Sequence, residues 1–289
     1  MNGKIVLITG ATSGIGLESA VMIAQSGAKV IIVGRNPEKT EAVLAQIKQR
    51  SDSSQVESML CDFASQADIH RLAKNFLSRH DRLDVLINNA GAVNDKRTLT
   101  EDGIETTFAV NHLGYFLLTH LLLDRIKASA PARIVNVASG AHYRGTLDFD
   151  DLGFERRYKI MHAYARSKLA NVLFTRELAR RLKGTGVTSN AVHPGVVATH
   201  IWDRAPGWTQ PIFTIVKRIF MIAPEKGAQR IAWLAASPEV EGKTGLYFEN
   251  NQPKEPSTLA RDDALAGRLW RQSKHLVHLS ARPTQRFDN

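Results

Sequence analysis

Tyr164-Ala165-Arg166-Ser167-Lys168 sets a phenol and an ammonium at i, i+4 spacing, and residues four apart share one face of a helix. A free tyrosine titrates near ~10, and a cation beside it favours the phenolate. Such a pair could exchange a proton with a substrate hydroxyl or carbonyl. The spacing alone also suits a half-buried tyrosine next to a solvated lysine. Two further residues have matching chemistry. Ser139, just past the apolar run Ile134 to Val137, can hydrogen-bond an oxygen on which charge develops, or can cap a helix. Asn111, in Val110-Asn111-His112-Leu113, interrupts a helical pattern with a poor helix former.

A second kind of chemistry is written at the start of the chain. The strand-like Ile5 to Ile8 runs into Thr9-Gly10-Ala11-Thr12-Ser13-Gly14-Ile15-Gly16, and a helix is expected from Leu17 to Ser26. Glycines in this order allow a tight turn and close approach of backbone amides to a pyrophosphate, at a helix end whose dipole favours anions. The turn is read as binding a dinucleotide through Gly10, Thr12, Ser13, Gly14, Ile15 and Gly16. Past the second strand the chain has Val33-Gly34-Arg35-Asn36, with Lys39 nearby and no acid at the strand end. An acid ~20 residues beyond the glycine turn would bind a ribose 2′-hydroxyl, whereas an arginine there suits a 2′-phosphate. Arg35, Asn36 and Lys39 therefore point to NADP(H).

Elements that could hold these groups alternate along the chain. Short β-branched runs occur at Lys4 to Thr9, Lys29 to Gly34, Val56 to Cys61, Leu83 to Asn88, Arg133 to Ala138, Thr188 to His193 and Leu246 to Phe248, with helix-period segments between them. Runs such as Val30-Ile31-Ile32-Val33, apolar without alternation, fit strands buried on both faces. The pattern predicts an α/β protein, a doubly wound three-layer sandwich around a seven-stranded parallel sheet, as one domain over residues 1–289. Residues 198–225, with Trp202, Trp208, Phe213 and Phe220, are expected to form a lid over an apolar substrate, or else to complete a core or a dimer surface. A helical extension is expected at about 255–289.

Composition narrows the partners. The 289 residues are 43% hydrophobic and carry a formal charge of +10. The basic residues are scattered and accompany no nucleic-acid-binding motif, so no nucleic acid is expected. With one cysteine, Cys61, no internal disulfide can form, and a reducing compartment follows. The ten histidines show no metal-ligand spacing, so no metal is expected; His142 and His162 flank Ser139 and Tyr164 as candidate substrate contacts. No run of ~18 apolar residues occurs, and a cytoplasmic location is expected. Lys217-Arg218 within the apolar 208–221 stretch leaves a peripheral membrane contact open.

The residues in sequence resemble the short-chain dehydrogenase/reductase family, whose dinucleotide-binding domain is a Rossmann fold. The resemblance rests on the glycine turn, Cys61-Asp62-Phe63, Asn88-Asn89-Ala90-Gly91, Asn111, Asn136 to Ser139, Tyr164 with Lys168, and His193-Pro194-Gly195. The run from Tyr164 to Leu182, the Gly184 to Thr188 turn, Val192 to Val197 and Ala264 to Ser273 are similar to the retinol dehydrogenase-like branch. The resemblance implies Tyr164 as general acid/base, Lys168 lowering its pKa and holding the nicotinamide ribose, Ser139 on the reacting oxygen, and a kink at Asn111 binding a relay water. It also implies that Asp62 with Phe63 meets the adenine and that Asn89, Ala90 and Gly91 line its ribose. Pro194, Gly195, Val197 and Thr199 would then wall the nicotinamide. A small hydrophobic alcohol or carbonyl substrate and a homodimer or homotetramer are expected on the same ground. Two alternatives stay open: a catalytically idle NADP(H)-sensing protein of this fold, and a protochlorophyllide reductase-like enzyme.

Overall fold

Ile5–Thr9 (β1), Lys29–Gly34 (β2), Val56–Leu60 (β3), Val85–Asn88 (β4), Ala132–Val137 (β5), Val187–His193 (β6), Tyr247–Glu249 (β7) and Gln252–Lys254 (β8) form one sheet in the order β3-β2-β1-β4-β5-β6-β7-β8. The computed structural model describes residues 1–195 and 223–279. Val197, Thr199 and all but the end of the expected 198–225 lid lie outside the described residues. The first seven strands are parallel. Val6, Leu7 and Ile8 of β1 are wholly buried between strands on either side and helices on both faces, which is why the run has no polar alternation.

Helices α1 (Gly14–Gln25), α2 (Pro37–Ser51) and α6 (Pro224–Ala236) close one face of the sheet. On the other lie α3 (Gln66–Arg79), α4 (Gly114–Ala128), α5 (Ile160–Arg181) and α7 (Asp263–Leu276). Within the expected C-terminal extension, α7 lies across α4 and α5: Trp270 stacks on Phe174 with centroids 5.9 Å apart and meets Phe116 edge-on at 5.0 Å. Among the described residues no helix is long and apolar enough to cross a membrane.

The sheet has eight strands where seven were predicted. The additional β8 runs antiparallel to β7, pairing Glu249 with Gln252 and Tyr247 with Lys254. Asn250 and Asn251 both take positive φ, 52° and 61°, as a two-residue hairpin turn of matching twist requires. At three exposed residues, β8 is too short for periodicity to reveal. Its Pro253 and Lys254 suit an edge strand that should not pair further.

The chain order β1, β2, β3 steps outward on one side of β1, and β4 returns on the other. Ligands of open parallel sheets bind at such a reversal, outside the carboxyl ends of the strands. Gly10, Arg35, Asp62, Asn89, Ser139 and Pro194 each lie within two residues of the carboxyl end of a strand. The topology thus delivers residues far apart in sequence to one edge.

Three histidines, His112 and His193 buried and His120 half-buried, tie this fold to pH. Burial pushes His112, His120 and His193 down from 6.5 to about 4. His112 has no exposed surface and packs against Phe108 and Phe174. Because each folded-state value lies below the unfolded one, the unfolded chain binds more protons between about pH 6.5 and 4, and stability falls as pH falls through that window. For a ring buried like His112 the loss by pH 4 is about 3 kcal/mol. Urea unfolding midpoints measured from pH 7 to 4.5 should drop steadily; a flat midpoint would mean that these rings are not held neutral by the fold.

Candidate active site

The glycine turn is built for close approach. A Cβ on Gly16 would lie 2.3 Å from the Gly10 carbonyl oxygen and 2.6 Å from Nδ2 of Asn89; one on Gly10, whose φ is +65°, would lie 2.7 Å from Cα of Ala90. Asn89 holds this turn from the end of β4, its Nδ2 donating to the carbonyls of Thr9 at 2.9 Å and Gly10 at 3.0 Å. Thr9 answers with Oγ1, which accepts from the amides of Asn89 at 2.8 Å and Ala90 at 2.9 Å. The helix begins at Gly14, earlier than the expected Leu17, so Gly14 and Gly16 lie in its first turn. Ser13, at the N-cap, makes no side-chain capping bond, and the first turn carries no acid. Unclaimed amides at a positive dipole end fit a pyrophosphate.

A cleft of about 920 Å³ runs from this turn across the carboxyl edge of the sheet. Gly10, Thr12 to Gly16, Arg35, Asp62, Phe63 and Asn89 to Gly91 line one end. Ser139, Tyr164, Lys168, Pro194 and Gly195 line the other. Arg35 is three-quarters exposed, with its guanidinium 3.8 Å from Asp62, so its fork remains available to a phosphate. Asn36 and Lys39 do not line the cleft. Asn36 is instead the N-cap of α2, with Oδ1 accepting from the Lys39 amide at 2.8 Å; the side chain is spent on the helix end that Pro37 begins. His142 and His162 do not line the cleft either. The side chain at the mouth on α5 is Met161.

Lys168 is buried, its Nζ donating to the carbonyl of Val137, the last residue of β5, at 3.0 Å. Asn171 Nδ2 reaches the same oxygen at 3.4 Å. These bonds fasten one face of α5 to the strand end from which Ser139 projects. Ser139 does both things its type allows: Oγ accepts from the Ala141 amide at 3.2 Å, capping a short 3₁₀ turn over Gly140–Arg144, and its hydroxyl faces Tyr164. Burial raises the Tyr164 phenol above 10, Ser139 pulling it only part of the way back, and desolvation lowers the Lys168 ammonium to about 8. With Nζ 5.7 Å from the centre of the tyrosine ring, the lysine does not offset the loss of solvent.

Asn111 lies beneath the cleft with no exposed surface. The interruption it signals is a π-helical turn over Ala109–Leu113. Its Oδ1 accepts from the Ala92 amide at 2.7 Å, and its Nδ2 donates to the Ala92 carbonyl and to Ser167 Oγ, each at 3.0 Å. The amide is thereby committed to bracing the loop after β4. Several supporting residues were not singled out from the sequence. Ser167 anchors Asn111. Asn171 shares the Val137 carbonyl, and its Oδ1 lies 3.4 Å from Nδ1 of His112. His112 in turn meets Ser273 of α7 at 2.9 Å. Asn171 falls seven residues after Tyr164, on the same helical face, and that periodicity was the available signal.

Comparison with known proteins agrees with this arrangement. Residues 4–209 match the family model of the short chain dehydrogenases. The chain is 44% identical to retinol dehydrogenase 13 of Homo sapiens over 285 residues, covering 96% of this chain and 86% of that protein. It is 44% identical to human retinol dehydrogenase 12 over 278 residues, with 95% and 86% covered. A crystal structure of an uncharacterised protein from Mycobacterium paratuberculosis superposes with a TM-score of 0.77 at 32% identity, covering 96% of this chain and 94% of that one. Pseudomonas aeruginosa RhlG, solved in complex with NADP, shares the fold with a TM-score of 0.69 at 24% identity, covering 92% and 97%. A match of this extent, on a chain whose motifs converge at one edge of the sheet, makes it a member of the short-chain dehydrogenase family, in the retinol dehydrogenase-like branch.

Proposed function

We propose that this protein is an NADP(H)-dependent oxidoreductase that interconverts an alcohol and a carbonyl on a hydrophobic substrate, with Tyr164 as the general acid/base. The observation that carries the reading is the convergence of Tyr164, Ser139 and the buried Lys168 on the cleft that the glycine turn opens. Gly10 to Gly16 would hold the pyrophosphate on the α1 amides, Arg35 the 2′-phosphate, and Asp62 the adenine end. When bound, the dinucleotide gives or takes a hydride at its nicotinamide ring, and in its oxidised form it adds a positive charge that favours phenolate.

The chain's own groups account for the proton. At neutral pH the raised phenol of Tyr164 is protonated and can donate to a carbonyl oxygen as it gains charge, with Ser139 Oγ hydrogen-bonding the same oxygen. Lys168, near 8, is mostly charged at neutral pH and fixes its helix to β5. The π-turn at Asn111 is proposed to set the backbone beside Ser167 and Lys168 for a relay water. Support for an apolar substrate comes from Met161 and Val110 on the cleft wall and from relatives named as retinol dehydrogenases; a retinoid, a steroid or a long-chain aldehyde fits that chemistry.

Tyr164→Phe should lower kcat for carbonyl reduction by about 10²–10⁴-fold while leaving NADPH binding, measured by fluorescence titration, nearly unchanged. Turnover within a few-fold of the parent would remove Tyr164 from the chemistry. Arg35→Asp should shift the ratio of kcat/KM for NADPH over NADH by about 10–100-fold toward NADH, as expected for loss of a charged hydrogen-bond partner. An unchanged ratio would place the 2′-phosphate elsewhere.

A further inference from the structure

His142 lies three residues past Ser139, has no exposed surface and does not line the cleft. Both ring nitrogens are engaged. Nδ1 lies 2.8 Å from the main-chain carbonyl oxygen of Ser139, which can only accept. Nε2 lies 3.2 Å from the main-chain amide of Ser257, which can only donate. One form of imidazole satisfies both partners: neutral, with the proton on Nδ1. Burial keeps the ring neutral by lowering its pKa. Tyr143 and Tyr247 clasp it, with centroids 4.0 and 4.7 Å away. Tyr143 adds a parallel tie, its hydroxyl donating to the Glu255 carbonyl at 2.7 Å.

The Ser139 peptide is thus gripped from behind. Among the described residues the other bonds to Ser139 come from the Ala141 amide to its hydroxyl at 3.2 Å and from the His142 main-chain amide to its carbonyl at 3.1 Å; both lie inside the short turn and would move with it. The ring of His142, bonded to the Ser139 carbonyl and to the amide of Ser257 115 residues later in the chain, joins the Ser139 peptide directly to a segment outside the turn. We propose that His142 is a positioning residue for the reaction, holding the Ser139 hydroxyl toward Tyr164, and that the segment after β8 is part of the active-site support. The inference rests on the proposed role of Ser139. A ring that merely fills space between Tyr143 and Tyr247 would affect stability alone.

The test uses the full chain and an NADPH-dependent carbonyl reduction assay, with His142→Asn, His142→Gln, His142→Phe, Ser139→Ala and the Ser139→Ala/His142→Phe double variant. Asparagine can place Nδ2 where Nδ1 stood and restore the side-chain bond to Ser139; glutamine can reach Ser257 but leaves the Ser139 carbonyl only the main-chain amide of residue 142, which lies within the turn. The expected result is kcat within about 3-fold of the parent for His142→Asn, and about 10–100-fold lower for His142→Gln and His142→Phe, the cost of a small misplacement. KM for NADPH should stay nearly constant. In the Ser139→Ala background, His142→Phe should cost nothing further. Equal losses in all three His142 single variants, or a full additional loss in the Ser139→Ala background, would overturn the proposal. A Ser139-dependent enzyme indifferent to His142 overturns this proposal alone; an enzyme indifferent to Ser139→Ala overturns the site reading and this proposal with it. Should His142→Phe not fold, ¹⁵N shifts of the wild-type imidazole decide: a bare Nε2 and a protonated Nδ1 at neutral pH are expected, and the other tautomer or a charged ring would refute it.

Discussion

The carbonyl oxygen of Val137 accepts from two side chains of α5, Lys168 at 3.0 Å and Asn171 at 3.4 Å, and the geometry of the site depends on that oxygen. It belongs to the last residue of β5, two before Ser139, so the same atoms that end the strand fix the helix carrying Tyr164. The arrangement is costly, since an ammonium removed from water loses solvation that one carbonyl does not replace, and the lowered pKa of Lys168 records the cost. The network continues away from the cleft through Asn171 to His112 and on to Ser273 of α7. The C-terminal helix is therefore connected to the reacting end of the cleft by hydrogen bonds as well as by the packing of Trp270.

Two ends of the cleft meet different physical demands. At the phosphate end the backbone itself must come close, and Gly10 and Gly16 leave room that any Cβ would fill. At the reacting end the demand is electrostatic. Burial makes the Tyr164 phenol a weaker acid than a free tyrosine, so in the free protein it holds its proton. The Lys168 ammonium sits against the Val137 carbonyl, and its own solvation is lost too.

What could be read from the sequence follows from how local its causes are. The glycine turn, Arg35 and the unalternating apolar strands are local signals, and the parallel sheet with its edge of functional residues follows from them. The kink at Asn111 was visible because asparagine is ill suited to a helix interior. Its bonds to Ala92 and Ser167 were not, since they join elements 19 and 56 residues away. At Asn36 a residue after a strand end can face a ligand or cap the next helix, and with Pro37 following it takes the cap. The β7–β8 hairpin had its mark in Asn250-Asn251, a pair tolerant of positive φ, but three exposed residues of strand lack any period. The acid strength of Tyr164 was least legible, because it is set by solvent exclusion that only the packed fold defines.

The most direct measurement is the ionisation of Tyr164 itself, read as tyrosinate absorbance of the wild type minus Tyr164→Phe between pH 6 and 11, without and with saturating NADP⁺. A phenol that stays protonated past its usual ~10 in the free protein, and ionises at lower pH once NADP⁺ is bound, is the predicted result. A midpoint already below 10 in the free protein, or one that NADP⁺ leaves unmoved, would contradict the account.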